Sequence, residues 1–504
     1  MLVEPSAEDL RLVVVSNRGP VEHHLRPDNQ IEARRASGGL VTALSAFRKR
    51  TRFSWIACAV TSGDRQVARG PNQRNNGLAV VQGLSGGRED IVDDSLFRSV
   101  DLVATPEQVF RKHYEVFSNR TLWFLQHSMW DQLQPPKDKN TISDAWWNGY
   151  VPTNVALARA AVAKARKRKS RVIMLHDYHL YLAPGYIRQH LPDVILQHFV
   201  HIPWPELEVW EPLPLPMLRE ICRNLLSNDI IGFQTPSDAH NFLRCCDVVL
   251  EDVQVDYARS VARFRGRDTR VRVYPISIDV AELRRTMNLP TVKRYQERLR
   301  RLCGDRTIVR VDRLDPSKNI ARGFLAFEQL LSKHPEFQGK TKLLAFLVPS
   351  RTQVKEYVQC YNEITSLVNA INLKFASGSY KPIEVFYENN YYQALAGMSL
   401  CDVLLVNPIA DGMNLVAKEG PIVSARDSVL VLSKAAGAFG QLGCAALGIE
   451  PRDIHGTANA LANALAMPQE ERCHRARTLR ANIEKEDIFG WVASQTDDID
   501  RILA

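Results

Sequence analysis

The length, composition and charge of the chain exclude several classes of protein. With 504 residues, of which 45% are hydrophobic, the chain is too apolar for a disordered protein and too long for one hydrophobic core, so two domains of roughly 200 to 250 residues are expected. A net charge of +9 would suit nucleic acid, but the densest basic run, KARKRKS at 164–170, ends a predicted helix, where cations favour the helix dipole. We therefore interpret the charge excess as an attraction for small anionic substrates and expect no nucleic-acid partner.

The cysteines and the N-terminal sequence predict a cytoplasmic protein with no membrane partner. Nine cysteines form no C-x-x-C pair and mostly lie in apolar surroundings, as buried thiols of a reducing compartment do. The N-terminal stretch MLVEPSAEDLR does not resemble a signal peptide, and no stretch approaches the roughly 18 apolar residues of a membrane helix.

Short apolar runs alternate with helical patterns along the whole chain, which is typical of parallel sheets covered by helices. In the first half, the predicted strands are LVVVS (12–16), FSWIACAV (53–60), LAVVQ (78–82), RVIML (171–175), ILQHFVH (195–201), DIIGF (229–233) and RVRVYP (270–275), with helices at 105–117, 143–168, 214–226 and 236–250. In the second half, the predicted strands are TIVRVD (307–312), KLLAFLV (342–348), IEVFY (383–387), DVLLVN (402–407) and SVLVLS (428–433), with helices at 317–334, 352–373, 391–399 and from 413.

This order predicts an α/β protein of two Rossmann-like, doubly wound domains that face each other across a cleft. The stretch YPISIDVAE (274–282) marks the boundary, so the first domain covers 1–275 and the second 276–486, and a C-terminal helix at about 487–504 is expected to pack back on the first. Ligands of such sheets bind at the carboxyl ends of the strands. Residues that follow strands are therefore the candidates for a binding site.

In the first domain, polar residues follow three predicted strands. Arg18 follows the first, and Gly39 in SGGL precedes a helix, where backbone N–H groups can approach an anion; a tight turn is the alternative explanation for the glycines. HDYHL places Asp177 after a later strand, and HIPWP does the same for His201. The histidines lack H-E-x-x-H spacing, so no metal is predicted, and a core hydrogen bond is the alternative for His179.

In the second domain, cations follow two predicted strands. DRLDPSKN places Arg313 and Lys318 around a turn before a helix, and PSR places Arg351 after the next strand. Such cations, together with a helix N-terminus, suit phosphate oxygens. Ion pairs with Asp312 and Asp315 are the alternative role for the same side chains.

Two carboxylates follow a later strand of the second domain. NPIADGMNLVAKEG (407–420) follows CDVLLV and presents Asp411 and Glu419 at the start of a helix. Carboxylates accept hydrogen bonds from hydroxyl groups, whereas the cations of the neighbouring strands bind phosphate. A diphosphate joined to sugars would satisfy both kinds of side chain.

At this point the motifs resemble those of a known family, the trehalose-6-phosphate synthases, which are retaining glycosyltransferases of GT-B fold. The motifs are VVVSNR, SGGL, YEVFSNRTLW, HDYHL, HIPWP, GFQT, YPISID, VDRLDPSKN, PSR and DGMNLVAKE, in order from about residue 12 to about residue 490. The resemblance implies transfer of glucose from a nucleotide-glucose, UDP-glucose above all, to glucose 6-phosphate, to give α,α-trehalose 6-phosphate.

The resemblance also implies roles for individual residues. The donor would be bound in the second domain and the acceptor in the first. Donor binding is implied for Gly39, His201, Arg313, Lys318, Asp411, Asn414, Leu415 and Glu419. Acceptor binding is implied for Arg18, Tyr114, Trp123, Asp177 and Arg351. Catalytic roles are implied for Asp177, His201, Arg313 and Lys318, the last two stabilising the departing nucleotide.

The resemblance implies a front-face mechanism, in which the leaving phosphate takes the acceptor proton and no dedicated general base is needed. The sequence has no D-x-D metal site, and Arg and Lys would replace a metal as charge acceptors, so neither metal nor cofactor is expected. The partners would be small-molecule substrates. The sequence leaves the nucleobase and a homo-oligomer open.

Departures from the family pattern keep other functions open. The stretch EHHLRPDNQIEARR is long, and DGMNLVAKE is followed by GPIVSARDSV, where most synthases continue differently. Similar segments occur in glucosylglycerol-phosphate synthases and in pseudo-glycosyltransferases that couple cyclitols, which use other phosphorylated acceptors. A non-catalytic sugar-phosphate sensor is a third alternative, and core packing is the alternative role for Tyr114 and Trp123.

Overall fold

The computed structural model of the protein describes residues 11–26, 28, 30–35, 41, 43–44, 47, 53–69, 100–132, 138–351 and 353–504. The chain forms two compact units, one that runs to Tyr274 and takes in Val492–Ala504, and one that covers Pro275–Trp491. The predicted strand at 78–82 lies outside the described residues. Among the described helices, none has the length and apolar character needed to cross a membrane.

The first unit is built on a mostly parallel sheet. Its strands are β1 (Leu12–Ser16), β4 (Phe53–Cys58), β5 (Val100–Val103), β6 (Val172–His176), β7 (Ile195–Phe199), β8 (Ile230–Phe233), β9 (Val253–Asp256), β10 (Val261–Phe264) and β11 (Arg267–Val273), and a separate hairpin consists of β2 (Val21–Leu25) and β3 (Ile31–Arg35). The order across the sheet is β5-β4-β1-β6-β7-β8-β11-β10-β9. Strands β9 to β11 pair antiparallel, and the other pairs are parallel.

Helices connect these strands. The α-helices are α1 (Ser62–Arg69), α2 (Glu107–Arg111), α3 (Trp123–Gln126), α4 (Lys139–Ala145), α5 (Val151–Arg168), α6 (Ala183–His190), α7 (Leu215–Leu225) and α8 (Pro236–Val249). Two π-helical segments, Lys112–Leu122 and Trp146–Tyr150, continue α2 and α4, and short 3₁₀ turns cover Trp130–Gln132, Tyr178–Leu180 and Leu207–Trp210. Helix α5 ends at Arg168 with Lys169 in the left-handed conformation, so the predicted helix end in the basic run is confirmed.

The second unit contains a fully parallel sheet. Its strands are β12 (Arg306–Arg313), β13 (Thr341–Val348), β14 (Ile383–Tyr387), β15 (Val403–Val406), β16 (Val429–Ser433) and β17 (Leu447–Ile449), in the order β14-β13-β12-β15-β16-β17. Its helices are α9 (Val280–Met287), α10 (Pro290–Arg300), α11 (Ile320–Lys333), α12 (Lys355–Phe375), α13 (Tyr391–Leu400), α14 (Val416–Val423), α15 (Phe439–Leu442), α16 (Ile454–Ala466), α17 (Gln469–Lys485) and α18 (Ile488–Leu503), with 3₁₀ turns at Pro316–Lys318 and Pro335–Phe337. Helix α18 continues into the segment that belongs to the first unit.

Continuous apolar runs form the central strands because helices cover both faces of a parallel sheet. Every residue of β1 and of β15 is buried, and the cores include β1, β6 and α5 in the first unit and β12, β13 and α11 in the second. The predicted α/β class is confirmed.

In both units the strand order reverses at one point, and this position determines where a ligand binds in doubly wound sheets. In the first unit the reversal lies between β1 and β6, which pair directly. In the second it lies between β12 and β15, which also pair directly. The segments that follow these four strands contain Arg18, Asp177, Lys318 and Asp411.

The sequence analysis did not predict the hairpin β2–β3, strands β5, β9, β10 and β17, or the π-helical segments. Strands β9 and β10 alternate half-buried and exposed residues or mix in charges, because they lie at the edge of the sheet and are covered less than the centre. Their pattern is therefore weaker than that of a buried strand.

Candidate active site

In the first unit, Arg18 and Tyr114 contact each other after β1. The Arg18 Nη2 donates to the Tyr114 hydroxyl at 3.0 Å, and Nη1 lies 3.3 Å from the carboxylate of Glu22 in β2. Tyr114 belongs to the π-helical segment and stacks on Phe110 and His179. The structure thus brings two predicted acceptor residues together and adds Glu22, which the sequence analysis did not single out.

Trp123, the third aromatic or basic residue predicted for the acceptor phosphate in this unit, is almost fully buried, with 5% of its surface exposed. Its ring stacks on His127 with the ring centres 4.0 Å apart and lies 5.8 Å from the ring of Tyr178. Trp123 therefore contributes to core packing, which was the alternative role, and its role towards an acceptor stays a prediction.

Asp177 and His201, which follow neighbouring strands, contact each other. The backbone N–H of His201 donates to the Asp177 carboxylate at 3.3 Å, and the Asp177 carbonyl accepts a hydrogen bond of 3.1 Å from His198 Nε2. Asp177 has φ 77°, a backbone conformation that non-glycine residues adopt mainly where the surrounding structure enforces it. The two hydrogen bonds hold Asp177 in this conformation at the end of β6.

Burial keeps the histidines around Asp177 neutral. Loss of solvent lowers the pKa of His198 and of His201 to about 3 and lowers the pKa of His176 well below its usual value. His176 Nδ1 and His201 Nε2 lie 3.2 Å apart, so one of the two donates and the other accepts. Near neutral pH, His201 can therefore donate a hydrogen bond to a hydroxyl group or accept one from it, but it carries no positive charge.

In the second unit, the buried carboxylate of Asp315 binds two of the predicted cations. Arg351 Nη1 lies 3.2 Å from Asp315 Oδ2 and also contacts the Tyr357 hydroxyl, and Tyr357 donates to the same Asp315 oxygen at 2.8 Å. Arg313, at the end of β12, lies 3.7 Å from Asp315, with 44% of its side chain exposed. The ion-pair alternative therefore holds for Asp315, although Arg313 keeps an accessible guanidinium.

Lys318 and Asp411 form an ion pair between the segments after β12 and β15. Asp411 also accepts a hydrogen bond of 3.0 Å from the Asn414 amide. The lysine thus binds neither of the aspartates of its own motif but the carboxylate of the second motif. Both side chains are mostly buried, with 13% and 15% exposed, so each compensates for the charge of the other.

Three backbone N–H groups lie where the chain turns into α14. Asn414 has φ 78°, and its side-chain oxygen accepts from Ala417 N at 3.2 Å. Within the described part of the chain, the backbone N–H groups of Asn414, Leu415 and Val416 have no acceptor. Unpaired N–H groups at a helix start attract anions, so the predicted phosphate contact near Asn414 and Leu415 is geometrically available.

Glu419, in the first turn of α14, is half-buried and accepts a hydrogen bond of 3.3 Å from the Tyr391 hydroxyl. Burial raises the pKa of Glu419 to about 7, although the Tyr391 hydrogen bond opposes this shift. The carboxylate can therefore change its charge near neutral pH.

Comparison with known proteins identifies the family. The model of glycosyltransferase family 20 matches residues 10–501. This chain belongs to glycosyltransferase family 20. It is 34% identical over 505 residues to a bifunctional trehalose-6-phosphate synthase/phosphatase of Thermoproteus tenax. The aligned region covers 96% of this chain but only 62% of the length of that relative.

Two solved structures resemble this family 20 chain over nearly its whole length. A trehalose-6-phosphate protein from E. coli bound with UDP-2-fluoro glucose has a TM-score of 0.78 at 28% identity, covering 97% of this chain and 98% of the other. An α,α-trehalose-phosphate synthase (UDP-forming) from Burkholderia xenovorans, in complex with glucose-6-phosphate, also has a TM-score of 0.78 at 28% identity, covering 97% and 100%. The predicted GT-B fold class and glycosyltransferase family are confirmed.

Several residues of this family 20 chain escaped the sequence analysis. Lys418, beside Glu419, is buried, and its Nζ donates to the Ile276 carbonyl at 2.8 Å; burial lowers the pKa of Lys418 to about 7. Tyr391 and Tyr357 contact site carboxylates from helices that carry no recognisable motif. Asp315, in contrast, was already named in the sequence analysis as an ion-pair partner, because it lies two residues after Arg313 in DRLDPSKN.

The remaining predictions for the site concern a metal ion and Gly39. Over the residues that the structure describes, no three His, Cys, Asp or Glu side chains gather in a way that could hold a metal ion. Gly39 lies outside the described residues, so its predicted donor contact stays a prediction.

Proposed function

We propose that this chain transfers glucose from UDP-glucose to glucose 6-phosphate, with retention of configuration and without a metal, to form α,α-trehalose 6-phosphate. The observation that carries the proposal is the charge arrangement at the β12–β15 reversal: Arg313 and Lys318 for a diphosphate, and Asp411 and Glu419 for sugar hydroxyls. The names of the family 20 relatives support the same reaction.

In the proposed donor complex, the diphosphate takes over the positive charge that Lys318 now shares with Asp411. Arg313 is accessible and adds a planar guanidinium that suits phosphate oxygens. Asp411, once released, accepts from hydroxyls of the glucose, and Glu419 accepts from the ribose. The backbone N–H groups from Asn414 to Val416 add neutral donors for the phosphate oxygens.

The proposed chemistry occurs on one face of the glucose ring. The bond between the anomeric carbon and the β-phosphate oxygen breaks, and the acceptor's anomeric hydroxyl oxygen forms the new bond on the same side. The proton of that hydroxyl passes to the departing phosphate oxygen, so UDP is the protonated leaving group. Arg313 and Lys318 stabilise the charge that develops on this phosphate, which is the role of preorganised donors in such transition states.

On the acceptor side, Arg18, Tyr114, Trp123, Asp177 and Arg351 stay the predicted residues. The contact between Arg18 and Tyr114 supports a phosphate site in which the hydroxyl and the guanidinium act together. Neutral His201 suits a sugar hydroxyl better than a phosphate, because it brings no charge.

The test is an assay with UDP-glucose and glucose 6-phosphate, in which UDP release and the disaccharide phosphate are followed by chromatography and NMR. We expect a non-reducing, α,α-linked product, and equal rates with and without EDTA. Parallel reactions contain GDP-glucose or ADP-glucose as donors, and glycerol 3-phosphate or a cyclitol phosphate as acceptors. A product only with another acceptor contradicts the proposed substrate, and ligand binding without any turnover contradicts an enzymatic role.

A further inference from the structure

A fully buried arginine lies directly beneath the loop that carries Lys318. Arg310, in the middle of β12, has no exposed surface. Its Nε and Nη2 donate to the Asp312 carboxylate at 3.0 and 2.8 Å. Its Nη2 also donates to the Lys318 carbonyl at 3.2 Å, and its Nη1 to the Ile320 carbonyl at 3.1 Å. One guanidinium thus holds the backbone on both sides of Asn319.

The neighbouring helix is shaped to accommodate this guanidinium. A Cβ atom added at Gly323 would lie 2.2 Å from Arg310 Nη1, so only glycine leaves the space that the side chain occupies. The Arg310 guanidinium carbon lies 5.5 Å from the ring centre of Phe324, within the range of a cation–π contact. The arginine is therefore an integral part of the fold around the loop.

The charge of Arg310 also affects which partner Lys318 can have. Asp312 is buried, with 8% exposed, and both Arg310 and Lys318 act on its carboxylate electrostatically. A buried carboxylate without a partner is costly, so Asp312 would compete for Lys318 if Arg310 were absent. With Arg310 in place, Asp312 is satisfied and Lys318 extends to Asp411.

We propose that Arg310 is a positioning residue for Lys318: it fixes the carbonyls of Lys318 and Ile320 and keeps Asp312 from capturing the lysine that binds the donor diphosphate. This inference rests on the proposed function of Lys318 and adds to it a residue that contacts no substrate. The position of Lys318 then depends on the buried ion pair of Arg310 with Asp312 in β12.

The chain offers a matched control in Arg472. This arginine is also buried, with 3% exposed, and it belongs to the same unit. It donates to the Asp402 carboxylate at 3.3 Å and to the carbonyls of Arg426 and Asp427 at 2.9 and 3.4 Å. Asp402 precedes β15 at its amino end, whereas the site residues follow the carboxyl ends of the strands.

The experiment compares Arg310→Lys, Lys318→Ala, the double variant and Arg472→Lys by kcat, by KM for both substrates and by thermal unfolding. Arg310→Lys keeps the charge but cannot reach both carbonyls, so kcat is expected to fall about tenfold while KM for the acceptor changes less than about twofold. In the Lys318→Ala background, Arg310→Lys should lower kcat by less than about twofold, because the two residues act through one cation. Arg472→Lys should lose similar thermal stability and keep kcat within about twofold.

Two results would overturn the proposal: independent, multiplicative losses for Arg310→Lys and Lys318→Ala, or equal kcat losses for Arg310→Lys and Arg472→Lys. If Arg310→Lys does not fold, Gly323→Ala replaces it, since the added Cβ displaces the same guanidinium. If the wild-type protein makes no product, the proposed function fails, and calorimetric binding of UDP to the same variants still tests Arg310. If Arg310→Lys weakens UDP binding equally with and without Lys318→Ala, Arg310 does not act by positioning Lys318.

Discussion

The two units use the same strand reversal but surround it with different chemistry. After β1, β6 and β7 of the first unit, aromatic rings and buried imidazoles surround the charged side chains of Arg18 and Asp177, and burial lowers the pKa of His201 and of His198 to about 3. After β12 and β15 of the second unit, they are cations and carboxylates bound to each other, such as Lys318 with Asp411.

From this difference we expect two kinds of ligand recognition on the same topology. Neutral imidazoles and aromatic rings select a ligand by its shape and its hydrogen bonds. The strength of these contacts depends little on salt. At the reversal between β12 and β15, an anionic ligand can replace the carboxylates as the partner of the cations. This requires that the binding of the ligand compensates for the carboxylates that lose their cation. The predictions below test this division, from the largest expected effect to the smallest.

Arg313→Ala is the strongest test of the charged side chains at the reversal between β12 and β15. We expect kcat to fall about a hundredfold, because a donor aimed at charge that develops on the leaving group contributes roughly 2.7–4 kcal/mol to the transition state. KM for the acceptor should change less than about threefold, since the loss concerns the transition state. Steady-state kinetics with both substrates varied measure this, and equal losses in kcat and acceptor binding would argue against a leaving-group role.

Arg306→Ala is the matched control for Arg313→Ala. Arg306 lies at the opposite end of the same strand, and its side chain has the same exposed fraction, 44%, and the same 3.7 Å distance to a buried aspartate, here Asp402. Because it lies away from the carboxyl ends of the strands, its removal should leave kcat within about twofold of the wild type.

Buried His113, in the π-helical segment of the first unit, should make the protein sensitive to acid. Burial lowers the pKa of His113 from 6.5 to about 3, so the unfolded chain takes up a proton near pH 6.5 that the folded chain refuses. Stability is therefore complete above pH 6.5 and is lost as the pH falls towards 3, by about 2 kcal/mol at pH 5 for this residue. Urea unfolding at pH 7 and pH 5 should show a smaller loss of unfolding free energy in His113→Phe than in the wild type. An equal loss in both proteins would show that His113 does not cause the acid sensitivity.

Glu419 should make donor binding depend on pH. Its pKa is raised to about 7, so the carboxylate, for which we propose a hydrogen bond from the ribose, forms as the pH rises through 7. UDP affinity measured by calorimetry should increase about three- to tenfold from pH 6 to pH 8, since a charged acceptor forms the stronger hydrogen bond.

Two variants check the assignment to Glu419. Glu419→Gln should remove this component of the pH dependence. Tyr391→Phe should move it to higher pH, because the Tyr391 hydroxyl stabilises the carboxylate. A pH dependence that both variants leave intact would assign it to another group.

The smallest expected effect belongs to Tyr114→Phe in the first unit. The hydroxyl that accepts from Arg18 is lost, and KM for the acceptor should rise about threefold with kcat nearly constant, as expected for one modest hydrogen bond. Tyr186→Phe is the control, because Arg159 donates to the Tyr186 hydroxyl at 3.1 Å and lies 5.9 Å from its ring, as Arg18 does for Tyr114. Equal changes in both variants would argue against an acceptor role for Tyr114.

The sequence by itself determined the α/β class, most central strands and the position of the candidate residues after strands. Apolar runs such as LVVVS and DVLLVN predict buried strands because both faces of a parallel sheet are covered. The ends of those strands then identify Arg18, Asp177, Lys318 and Asp411 without any knowledge of packing. Specific motifs, above all DGMNLVAKE, were sufficient to indicate the family.

Only the tertiary structure decided which charges meet. DRLDPSKN contains two aspartates next to its cations, yet Lys318 pairs with Asp411, 93 residues away, and Asp312 pairs with Arg310. The pairing of β12 with β15 brings Lys318 to Asp411, a contact that no local pattern encodes. Arg310 and Asp312 lie two residues apart in β12, and their pairing leaves Lys318 available for this distant carboxylate. The neutrality of His201 and the raised pKa of Glu419 have the same origin, because both result from burial by segments that are distant in the sequence.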